Sequence, residues 1–219
     1  GNGHGHAMMA ATQSFTPAAK WKFERSGFKG VQWIKQLHES LQDDNQAMHN
    51  MQESLASIQA KLKQANKQVL LISDDKGLPQ AYEALQSHWS TPSHNISKAA
   101  HFTYSAEHAN THQARLTSTQ ANFCAVAYPA VLSDHPDAPK LAVLGACLRN
   151  GYLHSAIREK GGAYGGGATY NSEAGAFVFF SYRDPRLVDT FADFKAAKDW
   201  LMSGQATQAQ VDEAILNVI

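Results

Sequence analysis

The chain has 219 residues, 43% of them hydrophobic and 17% charged, a balance that excludes a disordered polypeptide. Lys and Arg number 19, as do Asp and Glu, and a formal charge of zero argues against both a basic nucleic-acid binder and a polyanion-like chain. No apolar run approaches the roughly 18 residues that a membrane-spanning helix needs.

Residues 1–8 read as tag or vector residue and are set aside, since they carry neither the apolar core of a signal peptide nor the arginines of a transit peptide. Residues 9–27 show little periodicity and read as a loop. From Phe28, apolar residues recur at three- and four-residue steps through Val31, Ile34, Leu37, Leu41, Met48, Met51, Leu55, Ile58 and Leu62. That spacing predicts a long amphipathic helix or a broken helical pair, with Asp43-Asp44-Asn45 as the break. Val69–Ser73 is a short apolar run between polar residues and reads as a buried strand. Ala81–Trp89 reads as a helix.

Residues 90–119 are rich in Ser, Thr, His and Asn and read as a linker followed by weak strands near Ala100–Ser105 and Ala114–Thr117. Phe123–Val131 is a firmer strand, with Pro129 placing its end at an edge or bulge. Asp137 and Pro139 open a long helix through Lys160, which Gly161-Gly162 stops. Ala163–Tyr170 and Ala176–Tyr182 form a hairpin, and Phe177, Phe179 and Tyr182 are read as one face of its second strand. Asp184-Pro185 starts the next helix. Thr207 with Gln210 is a capping box ahead of a last helix, whose apolar stripe runs to Ile219. That stripe reads as cut within or at the end of a helix, the mark of a fragment of a longer protein. The order of elements predicts an α+β fold, a largely antiparallel sheet with helices packed on one face, preceded by a long helical segment.

The glycine cluster 161–167 carries the first chemical signal. It is no P-loop, because no Lys-Ser or Lys-Thr follows. It is no dinucleotide fingerprint, because it leaves a helix and enters a strand. A helix cap accounts for Gly161 and Gly162. Gly165, Gly166 and Gly167 would weaken a strand unless another backbone comes close, and an extended peptide paired to a sheet edge would be such a backbone. Metal chemistry finds little support. His108 and His112 are four apart, and His88, His94 and His101 precede them, but no H-x-x-E-H or H-E-x-x-H is present. Ser155 lacks the G-x-S-x-G context of a hydrolase. His154 reads as packed or surface-lying, and Cys124 and Cys147 as inert packing residues without C-x-x-C or finger spacing, compatible with a reducing compartment.

The stretch from Leu148 to Ala168, through Arg149-Asn150-Gly151-Tyr152-Leu153-His154-Ser155-Ala156-Ile157-Arg158-Glu159-Lys160 and the glycine cluster, is more specific. Together with Phe179-Phe180-Ser181-Tyr182-Arg183-Asp184-Pro185 it resembles the insulinase/pitrilysin family of zinc metallopeptidases, in its presequence-protease branch. The resemblance is strongest over 145–219 and looser over 20–90, where Ser26-Gly27-Phe28-Lys29-Gly30 is similar to the region ahead of that branch's fourth repeat. It implies four related α+β repeats closing around a chamber. Zinc is then held in the first repeat, and this chain covers the end of the third repeat (9–95) and the first part of the fourth (96–219). No zinc ligand is expected in this chain. The cofactor would be zinc in the parent enzyme, held by an absent N-terminal domain.

In the family, an Arg and a Tyr of the fourth repeat contact the substrate carbonyl and stabilise the tetrahedral intermediate. The matching positions are Arg158 and Tyr164, with Gly165, Gly166 and Gly167 as substrate-binding residues. The residues alone leave a plainer reading open, with Arg158 capping a helix C-terminus and Tyr164 packing. The expected function is a non-catalytic C-terminal fragment of a metalloendopeptidase that degrades short unstructured peptides. The alternatives are a non-peptidase homologue of the same fold or a peptide-binding module. Expected partners are the N-terminal catalytic half of the parent chain, a peptide substrate and further copies of the fragment through self-association, with no nucleic acid and no membrane. The expected location is cytoplasmic for a bacterial source and an organellar matrix for a eukaryotic one.

Overall fold

A computed structural model describes residues 2–65, 69–88 and 111–219. The chain divides into two compact units, one of residues 1–34 with 104–219, the other of residues 35–103. The division falls inside a helix.

The first unit is built on a three-stranded antiparallel sheet of order β1-β3-β2, with β1 at Asn122–Pro129, β2 at Gly165–Asn171 and β3 at Ala176–Asp184. The hairpin pairs Gly165 with Tyr182 through Asn171 with Ala176. Its turn closes on Gly175 at φ +55°, and the Asn171 side chain accepts the Ala174 N–H at 3.1 Å. Strand alternation sorts β3 cleanly. Phe177 and Phe179 enter a core with Cys124, Leu148, Leu153, Ile157 and Phe194. Ala176 and Val178 face the other way, onto Ala19, with Met8 and Phe15 beside them. Tyr182 has the second parity, so the expectation that it shares a face with Phe177 and Phe179 is corrected: its ring lies 4.9 Å from that of His4, on the opposite side.

Helices cover both faces. On the first lie α6 (Ala138–Leu148), a π-helix (Arg149–Lys160) that continues it, α7 (Val188–Met202) and, against α6, α8 (Gln208–Leu216). On the second lies α1 (Gly3–Thr12), with α2 (Pro17–Ser26) packed beside it. The fold is thus α+β, and the face expected to be bare carries α1 and α2. Residues 9–27 are therefore helical in large part rather than a loop. The start of α2 is set by Thr16, whose hydroxyl accepts the Ala19 N–H at 3.1 Å, and by Pro17 at the first position. That signal is local and needs no amphipathic period, which is why periodicity passes over it. Residues 3–8, set aside in the sequence reading, form part of α1.

The helix from Ala138 to Lys160 is continuous but changes winding after Leu148. In the wider π turn, residues five apart become neighbours. His154 and Glu159 meet accordingly, at 3.6 Å. The helix expected from Asp184-Pro185 begins only at Val188, because the Asp184 carboxylate is fully buried and first accepts the Arg186 N–H at 2.9 Å. The capping box is present as read: Thr207 and Gln210 exchange side-chain and backbone bonds at the head of α8.

The second unit holds most of α3 (Phe28–Asp43), α4 (Asn45–Gln64) and α5 (Leu78–His88). The break between α3 and α4 is at Asp44, whose carboxylate accepts the Gln46 N–H at 2.8 Å. Two expected strands are not formed. Val69–Ser73 has no ladder partner among the described residues, and Leu70 and Ile72 are 82% and 86% exposed. Residues 114–117 are likewise irregular, with Leu116 fully exposed. A short apolar run is shared by strands, buried helix segments and loops, and only pairing decides among them. The strand expected near 100–105 lies outside the described residues, as do His94, His101 and His108.

Candidate substrate-contact site

The site grows out of the junction between the π-helix and β2. Arg158 sits in the last turn of the π-helix, and its carbonyl accepts the Gly162 N–H at 3.0 Å. Gly162 takes φ +76°, a left-handed conformation that a β-carbon would strain. The chain then reverses, and the Ala163 N–H returns to the Ile157 carbonyl at 3.1 Å. Tyr164 follows at once, its N–H donating to the Arg183 carbonyl at 3.3 Å. The backbone from 158 to 164 is therefore held at both ends.

The two side chains are not held in the same way. Arg158 is exposed, and its guanidinium makes no hydrogen bond or ion pair among the described residues. It bonds none of the last helical carbonyls, as a capping arginine would. Tyr164 is 59% exposed. Its ring touches that of Tyr182, with centroids 5.4 Å apart, and the Arg183 guanidinium carbon lies 5.6 Å from its centre. Its hydroxyl has no partner among the described residues. The arrangement thus offers a permanent cation and a phenolic O–H, both turned outward with donors unspent, on one anchored segment.

Gly165, Gly166 and Gly167 make room for the protein's own side chains. A β-carbon at 165 would lie 2.5 Å from the Tyr182 ring, one at 166 would lie 2.8 Å from Ile157 and 2.9 Å from the Phe180 carbonyl, and one at 167 would lie 2.9 Å from Arg149. The close approach that these glycines require is therefore met inside the fold. Among the described residues β2 pairs only with β3, so its outer edge is open. Beside the second half of β2 lies a cavity of about 360 Å³, bounded by Gly145, Arg149, Thr169, Tyr170 and Asn217.

A polar cluster buttresses this junction from within. Asp184 accepts from the Thr190 hydroxyl at 2.7 Å. Arg186 reaches Asp193 at 2.9 Å and the Ala156 carbonyl at 3.3 Å, and Asn122 donates to the carbonyls of Asp184 and Arg186, each at 3.2 Å. The π-helix, the Asn122–Asp184 end of the β1–β3 ladder and the start of α7 are thus tied at one point. Gly161 has no room for a side chain because the Arg186 guanidinium fills the place.

Other residues singled out in the sequence fall elsewhere. His154 is exposed and paired with Glu159. Cys124 and Cys147 are buried, and burial pushes both thiols above the ordinary value. Among the described residues no three His, Cys, Asp or Glu side chains gather as a metal ion would need. Arg183 enters the site through its contact with Tyr164. In the sequence it is one residue of a motif, and nothing there signals its backbone conformation.

The family of the PreP C-terminal domain matches residues 116–219, just under half of the chain. The mitochondrial presequence protease of Kluyveromyces lactis is 42% identical over 100 residues, covering 45% of this chain and 10% of that protein. Those of Xenopus tropicalis and Mus musculus are 51% and 47% identical over 84 and 83 residues, each covering 38% of this chain and 8% of the relative. The chain spans about a tenth of the length of the curated relatives it matches. Arg158, Tyr164, the three glycines and Arg183 all lie within the matched residues, and over 116–219 this chain is similar to the C-terminal domain of presequence proteases.

Proposed function

We propose that the chain is a non-catalytic C-terminal portion of a zinc-dependent metalloendopeptidase that degrades short, unstructured, targeting-peptide-like substrates. It supplies chamber wall and two donors to the substrate, with residues 9–95 as the end of a third repeat and 96–219 as the first part of a fourth. One observation carries this reading: Arg158 and Tyr164, on a segment pinned at both ends, present donors that no described residue accepts.

Such donors suit one task in peptide hydrolysis. As the carbonyl becomes tetrahedral its oxygen gains charge, and donors already aimed at it stabilise that charge without reorganising. Arg158 supplies a charge-assisted bond and Tyr164 a neutral one. Zinc, where the whole enzyme holds it, would supply the activated water. Its ligands would come from the N-terminal half, the partner this chain would close against. The open edge of β2 at Gly165, Gly166 and Gly167 suits an extended peptide, which would add there by backbone pairing. The compartment is a matrix-like one for a eukaryotic source and the cytoplasm for a bacterial one.

The test is steady-state kinetics of the full-length peptidase on a short peptide. Tyr164→Phe keeps the ring and removes the donor, and turnover is expected to fall about 10²–10³-fold with thermal unfolding unchanged. Arg158→Ala is expected to do at least as much harm. If Arg158 only served the helix end, its loss would cost about 0.3–1 kcal/mol of stability and leave turnover intact. Near-wild-type turnover in both variants removes the assignment.

A further inference from the structure

Arg183 is, among the described residues, the only residue besides glycine with a left-handed backbone, at φ +49°. It is also the extra residue where the β1–β3 register shifts: Asn122 faces Asp184 and Phe123 faces Tyr182, so Arg183 faces nothing. A β-bulge of this kind bends the strand and re-aims a side chain. The conformation is unfavourable for a residue with a β-carbon and persists only where its surroundings impose it. Here they do. On one side the carbonyl of Arg183 accepts the Tyr164 N–H, and on the other the buried Asp184 is held by Thr190 and by the Arg186 N–H.

The bulge has a geometric consequence for Tyr164. In a regular strand Tyr182 and Arg183 would point to opposite faces. With the left-handed residue between Tyr182 and Asp184, both side chains reach the same ring, Tyr182 at 5.4 Å between centroids and the Arg183 guanidinium carbon at 5.6 Å from the centroid. The guanidinium has no hydrogen bond or ion pair among the described residues, and the neighbouring carboxylate of Asp184 is turned inward and occupied. Among the described residues its contact is with the face of Tyr164.

We infer that Arg183 is a positioning residue for Tyr164: its carbonyl fixes the tyrosine's backbone, and its guanidinium, with the Tyr182 ring, confines the phenol to the orientation in which the hydroxyl meets the substrate carbonyl. This rests on the proposed role of Tyr164 as a donor. Arginine suits the task because its planar, always charged head stacks on an aromatic face.

Two measurements test it. In the chain described here, with tyrosine rings isotopically labelled and Tyr164 assigned through Tyr164→Phe, Arg183→Met is expected to shift the Tyr164 ring resonances and leave those of Tyr128 in place. In the full-length peptidase, Arg183→Met is expected to lower kcat about two- to fivefold with KM unchanged, and Arg183→Lys to restore most of the loss. Arg183→Gly keeps the carbonyl and suits the backbone, so it is expected to match Arg183→Met in kcat without loss of stability, which separates positioning from folding. On a Tyr164→Phe background Arg183→Met is expected to do nothing more. Unmoved ring resonances, an unchanged kcat, a loss confined to KM, or an equal loss with and without the Tyr164 hydroxyl each overturns the inference. If Tyr164→Phe cuts turnover and Arg183→Met does not, the positioning role alone fails. If Tyr164→Phe leaves turnover intact, the donor reading fails, and the ring resonances still report whether Arg183 holds the ring.

Discussion

The sheet-based unit and the helical unit use the same kinds of residue to different ends. In the first, β3 sends alternate side chains into two cores, and Leu153, Ile157 and Val178 are essentially inaccessible to water. In the second, α4 has no buried residue, and Met48, Leu55, Ile58 and Leu62 are exposed although their spacing forms a regular apolar stripe. An amphipathic period states that a face can be covered; it does not supply the cover. Stability in this chain should therefore be concentrated in the first unit.

The largest expected effect tests that concentration. Asp184→Ala leaves the Arg186 N–H and the Thr190 hydroxyl without their buried acceptor and removes the second carboxylate beside the Arg186 guanidinium, and is expected to cost about 3–5 kcal/mol in urea denaturation. A cost below about 1 kcal/mol would mean that the cluster is not what ties the π-helix to β3 and α7. Next in size, Gly166→Ala places a β-carbon against Ile157 and the Phe180 carbonyl and is expected to cost about 1–3 kcal/mol through overpacking. A neutral result would show that β2 can shift outward, and would return the glycines to a role in substrate approach alone.

A smaller effect follows from Cys124. Its folded thiol is raised above the ordinary thiol value, chiefly by burial, so its neutral form is favoured in the folded state. That contribution is fully present below the unfolded thiol value and is lost as pH rises through the folded one. Denaturation midpoints are expected to fall above about pH 9, and to fall less steeply in Cys124→Ala. An identical pH slope in the two proteins would assign the alkaline loss to other groups. Smallest in stability, Leu55→Ser with Ile58→Ser on the α4 stripe is expected to change unfolding by less than about 0.5 kcal/mol. The same pair should reduce self-association, followed by light scattering over a concentration series, because the stripe is an exposed apolar patch. A large loss of stability would show that the stripe is buried within the chain.

That Arg158, Tyr164 and the glycines share one segment was legible in the sequence, since their spacing is a matter of chain order. The helix stop at Gly161-Gly162, the hairpin, the Thr207 cap and the break at Asp44 were legible too, each being set by local backbone chemistry. The misreadings share one cause. Val69–Ser73 and 114–117 have strand-like composition, but a strand exists only through its partner. Residues 9–27 lack a period, yet Thr16 and Pro17 start a helix that the sheet then covers.

By itself, then, the sequence determined the α+β class, the turns and caps, and which residues share the segment around Arg158, because these depend on neighbours along the chain. Tertiary structure alone decided that both faces of the sheet are covered, that the glycines make way for Tyr182, Ile157 and Arg149, and that Arg183 adopts a left-handed backbone beside Tyr164. Each of those outcomes depends on groups brought together from distant parts of the chain. No window of sequence contains the steric and hydrogen-bonding terms that settle them.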